Sequence, residues 1–379
     1  MSVALHNMGR RLDHSSNNVL ENIDKGPVIS FSSTLIPDVR IMVFDKEYHL
    51  HSAILRVKSG YFRASFDRQD IGPGPRSAQF LYEYISVFDK EGIEWSLQRV
   101  NRDFPTPETY TGPAIGFREK SEATAFFKLL CAIYTRPYKI QDVEELETMT
   151  NQAETYRALP ALSNTLTIGL FRSPMFVSCF FDLCCCRALL IAKKLRHPLL
   201  FREAFIHAVG RWQESIEGQE VYEELVRADS ELATLLDRAW IGLSKDVLKI
   251  QQVLMWKMSM DSASFIDLPE IFSQSDLERG DQMTERALFY RKLYDYLSDC
   301  VDKSDGGFLR LPGYDSDSDS LRVITNQIES DLCVPLRKIL ENKLYFDLRP
   351  QVNYWRQQHF LSIDIKEEDM PWDKLETDW

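Results

Sequence analysis

The stretch that decides the fold of the N-terminal half covers residues 38–66 and reads DVRIMVFDKEYHLHSAILRVKSGYFRASF. Apolar and other side chains alternate over 39–43, which is the period-two pattern of a strand with one buried face. A turn over 45–47 follows, and 48–51 then has the composition of a second short strand. The pattern therefore predicts a β-hairpin.

Two short helices are predicted directly after this hairpin. The first is the apolar stretch 53–57, and the second places Tyr61, Phe62 and Phe66 along one side. Ser59 stands just before the second helix, where a serine hydroxyl can accept a hydrogen bond from a free backbone N–H. We therefore expect Ser59 to be an N-cap and the three aromatic residues to lie in a core.

An insert is predicted over residues 72–120. Its Gly-Pro-Gly-Pro segment at 72–75 cannot continue a helix or a central strand, because proline lacks a backbone N–H and glycine lacks restraint. Two β-rich stretches, at 80–88 and 93–97, are expected to pair as a hairpin within the insert. Helices are then predicted at 121–134, 142–156 and 159–168.

The remainder of the chain is predicted to be helical, because its apolar residues recur every three or four positions. The predicted helices cover 175–195, 198–215, 219–228, 230–258, 284–302 and 325–345.

Four regions follow from these patterns. Residues 1–34 are polar and are predicted to form a flexible leader without a convincing strand. An α+β domain at 35–168 precedes a helical region at 174–350, which holds an acidic loop at 313–320. Residues 351–379 form an acidic tail whose tryptophans either dock or stay frayed.

The charge balance is acidic, because 45 Lys and Arg stand against 57 Asp and Glu, a net −12. Such a surface repels phosphate backbones and anionic headgroups on average, which argues against direct binding of nucleic acid or a membrane.

The N-terminal residues lack the apolar core of a secretory signal, and charges interrupt the apolar stretch 175–195. Seven cysteines, three of them adjacent at 184–186, fit a reducing compartment. The sequence thus predicts a location in the cytoplasm, the nucleus or both.

Common catalytic and metal signatures are missing from the sequence, including the P-loop, G-x-S-x-G, H-E-x-x-H and G-x-G-x-x-G. The cysteines at 184–186 lack the spacing of a zinc site, and the acidic run at 315–320 lacks the glycine of a calcium loop. We therefore predict no catalytic residue, no metal and no cofactor. Ser316 and Ser318 stand among acids and are candidate phosphorylation sites; the alternative is a flexible acidic connector.

A set of residues in the N-terminal half resembles the motif of a known family. An Asp opens the first strand, a His follows an aromatic residue, S-x-Y-F-x-x-x-F comes next, and a helix ends in a Tyr-Thr pair. This order over 35–168 resembles the BTB/POZ domain, and 188–207 resembles the helical region that follows it in many fungal proteins. The resemblance implies an α+β BTB/POZ-like domain with an inserted hairpin, followed by a mostly α-helical C-terminal region. The residues that carry it are Asp38, His51, Ser59, Tyr61, Phe62, Phe66 and Tyr134.

His51 and Asp38 are predicted to serve the fold and not catalysis. A histidine beside an apolar strand can hydrogen-bond the backbone or the Asp38 carboxylate while its ring packs. We interpret the two residues as a buried polar lock; the alternative is a catalytic dyad.

The resemblance implies a non-enzymatic adaptor that binds other proteins through the BTB/POZ-like domain. The implied partners are a second copy of the chain or a cullin scaffold, which would make the chain a substrate receptor of a ubiquitin ligase. Residues 67–72 lack the hydrophobic-x-Glu element that some receptors carry there. The alternative is a BTB-type transcriptional co-regulator without its own DNA-binding element. A third class, an enzyme in the helical region, has only His207 and the neighbouring cysteines in its favour.

Overall fold

A computed structural model gives the structure of the chain in two compact units. It describes residues 28–31, 35–68, 79–89, 94–100, 116–174, 176, 184–211, 223–260, 286–302, 323, 325–346, 359–373 and 376. The first unit groups residues 1–177 with 194–197 and 373–379, and the second groups 178–193 with 198–372. The first unit combines a sheet with helices and the described part of the second is helical, so the chain is α+β.

A five-stranded mixed sheet organises the first unit, in the order β1-β3-β2-β4-β5. Strands β2 and β3 pair antiparallel with Val39 opposite Leu50, while β2 and β4 run parallel with Val39 opposite Tyr82. The strands are β1 (Val28–Ser30), β2 (Val39–Val43), β3 (Lys46–Leu50), β4 (Tyr82–Phe88) and β5 (Trp95–Val100).

The hairpin predicted from residues 38–66 is confirmed, with a shorter turn than expected. Val39, Ile41 and Val43 are fully buried, whereas the residues between them are only partly buried, as the alternation predicts. Phe44 adopts a left-handed φ of 50°, so the chain reverses at Phe44 and Asp45 and β3 already begins at Lys46.

Five helices of the first unit are placed as the apolar periodicity predicts. They are α1 (Ser52–Lys58), α2 (Gly60–Asp67), α3 (Phe117–Ile133), α4 (Val143–Thr155) and α5 (Leu159–Phe171). Helix α3 begins four residues earlier than the sequence suggests, with Glu119 in its first turn, where a negative charge favours the helix N-terminus. Phe126 and Leu130 of α3 are buried, as expected from their spacing.

The predicted leader contains a strand, which corrects the assignment of 1–34 as strandless. Strand β1 pairs in parallel with β3, placing Ile29 opposite Tyr48. Ile29 and Phe31 are buried, and Phe31 packs on Tyr134 with ring centroids 4.8 Å apart. Three residues are too few to show a period-two pattern, which explains why the sequence did not reveal this strand.

The second hairpin also differs from its prediction, because it is not an insert beside the sheet. Strand β4 pairs directly with the central strand β2, and β5 continues the sheet antiparallel to β4, with Phe88 opposite Trp95. The hairpin therefore belongs to the main sheet. The segment at 72–75 lies outside the described residues.

The second unit is built around a core of helix-borne apolar side chains. Its helices are α6 (Cys185–Lys194), α7 (Pro198–Arg211), α8 (Ser230–Met260), α9 (Arg286–Asp302) and α10 (Val334–Leu340), with a π-helical segment, Glu329–Cys333, directly before α10. Core residues from α8, α9, the π-helical segment, α10 and the tail include Leu243, Ile250, Leu254, Tyr290, Leu293, Leu297, Leu332, Leu336, Ile339 and Phe360. The predicted helix at 325–345 contains the π-helical segment and ends at Leu340.

The described part of the acidic tail is docked. Phe360 and Leu361 are buried, and the Trp372 ring meets the Phe201 ring edge-on at 5.2 Å. The described residues do not include Trp379 or the acidic loop at 313–320 with its Ser316 and Ser318. Every helix of the part of the chain that the structure describes is too short or too polar to cross a membrane.

Candidate interaction surface

Asp38 anchors the start of α1 to the start of β2. Its carboxylate accepts hydrogen bonds from the Ser52 backbone N–H, at 2.7 Å, and from the Ser52 hydroxyl. Its own backbone N–H donates to the Leu50 carbonyl at 3.1 Å. A carboxylate at the first turn of a helix satisfies free backbone donors, so Asp38 links the sheet to α1.

His51 joins three separate segments of the first unit. Its backbone N–H donates to the Tyr134 hydroxyl at 2.8 Å, and its Nδ1 lies 3.2 Å from the same oxygen. Its Nε2 lies 3.1 Å from the Leu35 carbonyl oxygen. Because a carbonyl only accepts, Nε2 carries the proton of this hydrogen bond.

The Asp38–His51 pairing considered from the sequence is replaced by two separate anchors. Asp38 bonds to Ser52, and His51 bonds to Tyr134 and to the Leu35 backbone. We expected His51 to bond either the backbone or the Asp38 carboxylate, and its ring bonds the backbone. Burial raises the pKa of Tyr134 above its ordinary value, which keeps its hydroxyl protonated as a hydrogen-bonding group.

Ser59 is the N-cap of α2, as predicted. Its hydroxyl accepts from the Phe62 backbone N–H at 3.2 Å and donates to the Tyr156 carbonyl at 2.6 Å. The Tyr61 hydroxyl donates to the Leu97 carbonyl at 2.9 Å, so this half-buried residue ties α2 to β5. Phe66 is buried beside Phe62 with ring centroids 5.7 Å apart.

A buried ion pair between α3 and α4 was not predicted from the sequence. The Lys128 ammonium meets the Glu145 carboxylate, both side chains are almost completely buried, and Glu145 also accepts from the Gln141 backbone N–H at 2.8 Å. One signal was available, because Lys128 is the one charged residue in the apolar run AFFKLLCAI at 125–133. Buried charges require a partner, so that position calls for a carboxylate nearby.

Several thiol and imidazole groups of the described residues are buried. Burial raises the pKa of the Cys131 thiol to about 12, which disfavours the reactive thiolate at neutral pH. Burial lowers the pKa of His197 to about 4. Cys185, Cys186 and His207 are also buried. No group of three or more His, Cys, Asp or Glu side chains among the described residues could hold a metal ion.

An apolar patch lies where the parallel strands β2 and β4 begin. Ile36 is 90% exposed, Leu81 60% and Leu35 54%. The Leu81 backbone N–H donates to the Asp38 carbonyl at 2.8 Å, so the two strand starts are adjacent. The His51 ring holds the Leu35 carbonyl. His51 therefore fixes the Leu35 backbone, and the hydrogen bond from Leu81 to Asp38 fixes the start of β4, while the three apolar side chains are exposed.

A half-buried charged network lies on one face of the same strands. Arg40 pairs with Glu47 at 3.0 Å and with Glu83 at 3.3 Å, and the His49 Nε2 lies 2.7 Å from Glu47. Burial opposes ionisation of Glu47, but its hydrogen bonds to His49 and Arg40 hold its pKa below the ordinary value. These charges satisfy one another within the sheet, so the apolar patch is the stronger candidate for contact with a partner.

Comparison of the chain with protein-family models, with curated proteins and with solved structures finds no match.

Proposed function

We propose that the first unit is a BTB/POZ-like domain and that the chain is a non-enzymatic adaptor for protein–protein interaction. The observation that carries the adaptor function is the apolar patch of Leu35, Ile36 and Leu81 on a backbone held by hydrogen bonds. Several large apolar side chains on a rigid surface favour contact with another protein, whereas isolated exposed apolar residues are common on protein surfaces and indicate no contact.

The element order supports the domain assignment. Strand β1 comes first; the antiparallel strands β2 and β3, two short helices, strand β4 parallel to β2, its hairpin partner β5 and three helices then follow in order. The motif residues also serve the architecture: Asp38, His51 and Ser59 each join segments that are distant in sequence. Residues that build the scaffold leave recognition to exposed positions such as Ile36.

The adaptor function is tested by one charge placed in the patch. The tagged full-length chain is used to capture partners from native extract, as wild type and as Ile36→Glu. The matched control is Val57→Glu on α1, since Val57 is 73% exposed and is not one of the patch residues. We expect Ile36→Glu to lose specific partners that Val57→Glu retains, because a carboxylate would be desolvated at the contact.

A purified cullin scaffold is added to the same three proteins at micromolar concentration as a separate arm. Binding that Ile36→Glu removes would identify the scaffold as a partner of the patch. Sedimentation of the purified chain tests whether two copies of the chain bind each other. Equal partner sets for wild type and Ile36→Glu would contradict the proposed role of the patch.

A further inference from the structure

Helix α8 carries an exposed apolar stripe opposite the core of the second unit. Ile241, Leu248 and Met255 recur seven residues apart and are 51%, 52% and 71% exposed. Leu243 and Ile250 on the other side of the helix are buried in the core. A helix that covers a core ordinarily has a polar outer face. The core of the second unit therefore does not account for the apolar residues on the outer face of α8.

A shallow depression of about 310 Å³ lies on this stripe. Four of its lining residues, Ile241, Ser244, Lys245 and Leu248, occupy positions i, i+3, i+4 and i+7 of the helix. That set of four is the hole that receives one side chain of a second helix in knobs-into-holes packing. The small side chain of Ser244 keeps the depression open. The stripe therefore has the geometry of a helix-docking face.

Cations line one side of the stripe. Arg238 and Lys245 stand three or four residues from stripe positions, and Lys249 follows Lys245 by four residues, which places all three along the same flank of the helix. Lys249 lies 3.2 Å and Lys338 of α10 lies 3.5 Å from the Asp246 carboxylate, so two ammonium groups share one acid. Asp237 also lines the depression, but the four cations Arg238, Lys245, Lys249 and Lys338 outnumber the two acids, Asp237 and Asp246, although the whole chain is acidic.

We propose that this face of α8 docks an acidic amphipathic helix of a partner protein, with apolar residues seven positions apart and acids on one flank. The inference deepens the proposed adaptor function, on which it rests, by giving the second unit its own class of partner. Charge complementarity favours this occupant over an antiparallel second copy, because two antiparallel α8 stripes facing each other would bring the two rows of cations together.

The test uses the purified full-length chain and a fluorescently labelled helical peptide of about four heptads, with leucine every seventh residue and glutamate along one flank. Fluorescence anisotropy should show micromolar binding. Leu248→Asp should raise the dissociation constant about tenfold or more, because a charge would be buried under the peptide. Lys245→Glu should raise it about threefold or more and reduce its salt dependence.

Matched controls place the same changes elsewhere on the second unit. Val226→Asp alters an exposed valine away from the stripe, and Lys366→Glu reverses an exposed lysine of the tail. Both should bind the peptide as the wild type does. Circular dichroism of each variant keeps loss of binding separate from loss of folding.

Several results would overturn the proposal. One is that the peptide fails to bind at about 100 µM, and another is that a peptide with lysine in place of glutamate binds equally well. The others are that Leu248→Asp binds the peptide as tightly as the wild type does, or that the wild type forms a dimer that Leu248→Asp dissociates. Binding of anionic vesicles without binding of the acidic peptide would assign the face to a membrane surface instead. None of these readouts involves Ile36, so this inference and the proposed function can fail independently.

Discussion

The Ser59 hydroxyl donates a hydrogen bond of 2.6 Å to the carbonyl oxygen of Tyr156, joining the start of α2 to the end of α4 across 97 residues of sequence. The Ser59 hydroxyl oxygen also accepts a hydrogen bond from the Phe62 backbone N–H. Replacing Ser59 with alanine removes a helix cap and leaves a buried carbonyl without this donor. We expect a loss of about 1–3 kcal/mol in the free energy of unfolding, measured by urea denaturation.

Thr155→Ala is the matched control for this change. Thr155 is exposed, and its hydroxyl donates to the Asn151 carbonyl one turn earlier. Its removal should alter the free energy of unfolding by less than about 0.5 kcal/mol. Equal effects of the two substitutions would show that the Ser59 bridge does not contribute to stability.

The buried Lys128–Glu145 pair should behave as a unit. Lys128→Met leaves the Glu145 carboxylate buried without its counter-ion, and we expect a loss of about 3–5 kcal/mol in stability. Glu145→Gln keeps an oxygen for the Gln141 N–H but strands the ammonium. The double variant removes both charges, so it should be more stable than the sum of the two single losses predicts.

A double-mutant cycle measured by urea denaturation tests this coupling. The exposed pair Lys366–Glu368 gives the comparison, because an ion pair in water contributes about 0–1 kcal/mol. Strict additivity for Lys128 and Glu145 would mean that the two charges do not depend on each other.

Burial of His197 makes the stability of the first unit depend on pH. Its folded pKa of about 4 lies below that of an exposed histidine, about 6.5. The fold therefore disfavours the charged ring, and the stability is present above about pH 6.5 and is lost as the pH falls toward about 4. Between about pH 7 and about pH 5 we expect a loss of about 2 kcal/mol.

His197→Gln isolates this contribution. The Thr167 hydroxyl lies 2.9 Å from the His197 Nε2, and a glutamine amide can occupy a similar position without titrating. The difference between wild type and variant in urea midpoint should shift between the two pH values. A constant difference would indicate that His197 titrates normally in the folded chain.

Two glycines within helices should respond to alanine in opposite directions. At Gly242 of α8, a Cβ would meet no atom of the described residues within 4 Å, so alanine should stabilise the chain by about 1 kcal/mol. At Gly210 of α7, a Cβ would lie 2.3 Å from the Phe360 carbonyl oxygen. Alanine there should cost about 1–3 kcal/mol because the tail must shift. Thermal unfolding of both variants checks the sign.

Local patterns were sufficient for much of the first unit. The alternation at 39–43 predicted β2, and the position of Ser59 before an aromatic run predicted both the cap and the helix. These features depend only on residues that are close in the sequence. The α+β class and most helix positions follow from the same short-range periodicity.

Long-range relationships could not be predicted in this way. Nothing local in residues 82–88 distinguishes a strand of an inserted hairpin from the parallel neighbour of β2, because pairing partners are set by tertiary packing. The apolar patch likewise depends on which side of the strand starts faces outward. Leu35, Ile36 and Leu81 look like core residues in the sequence, and only the parallel pairing of β2 with β4 shows that the exposed residues at the two strand starts are neighbours.

Strand β1 has a practical consequence for work with the isolated first unit. A recombinant fragment begun at residue 35, where the sequence pattern places the domain start, would lack Ile29 and Phe31 and expose the backbone edge of β3. Bare strand edges template pairing between chains, so such a fragment should aggregate. Arg136, which donates to the Phe31 carbonyl at 3.0 Å, would also lose that acceptor. Fragments that keep β1 should remain dispersed, because an early segment of the chain shields the sheet against self-assembly.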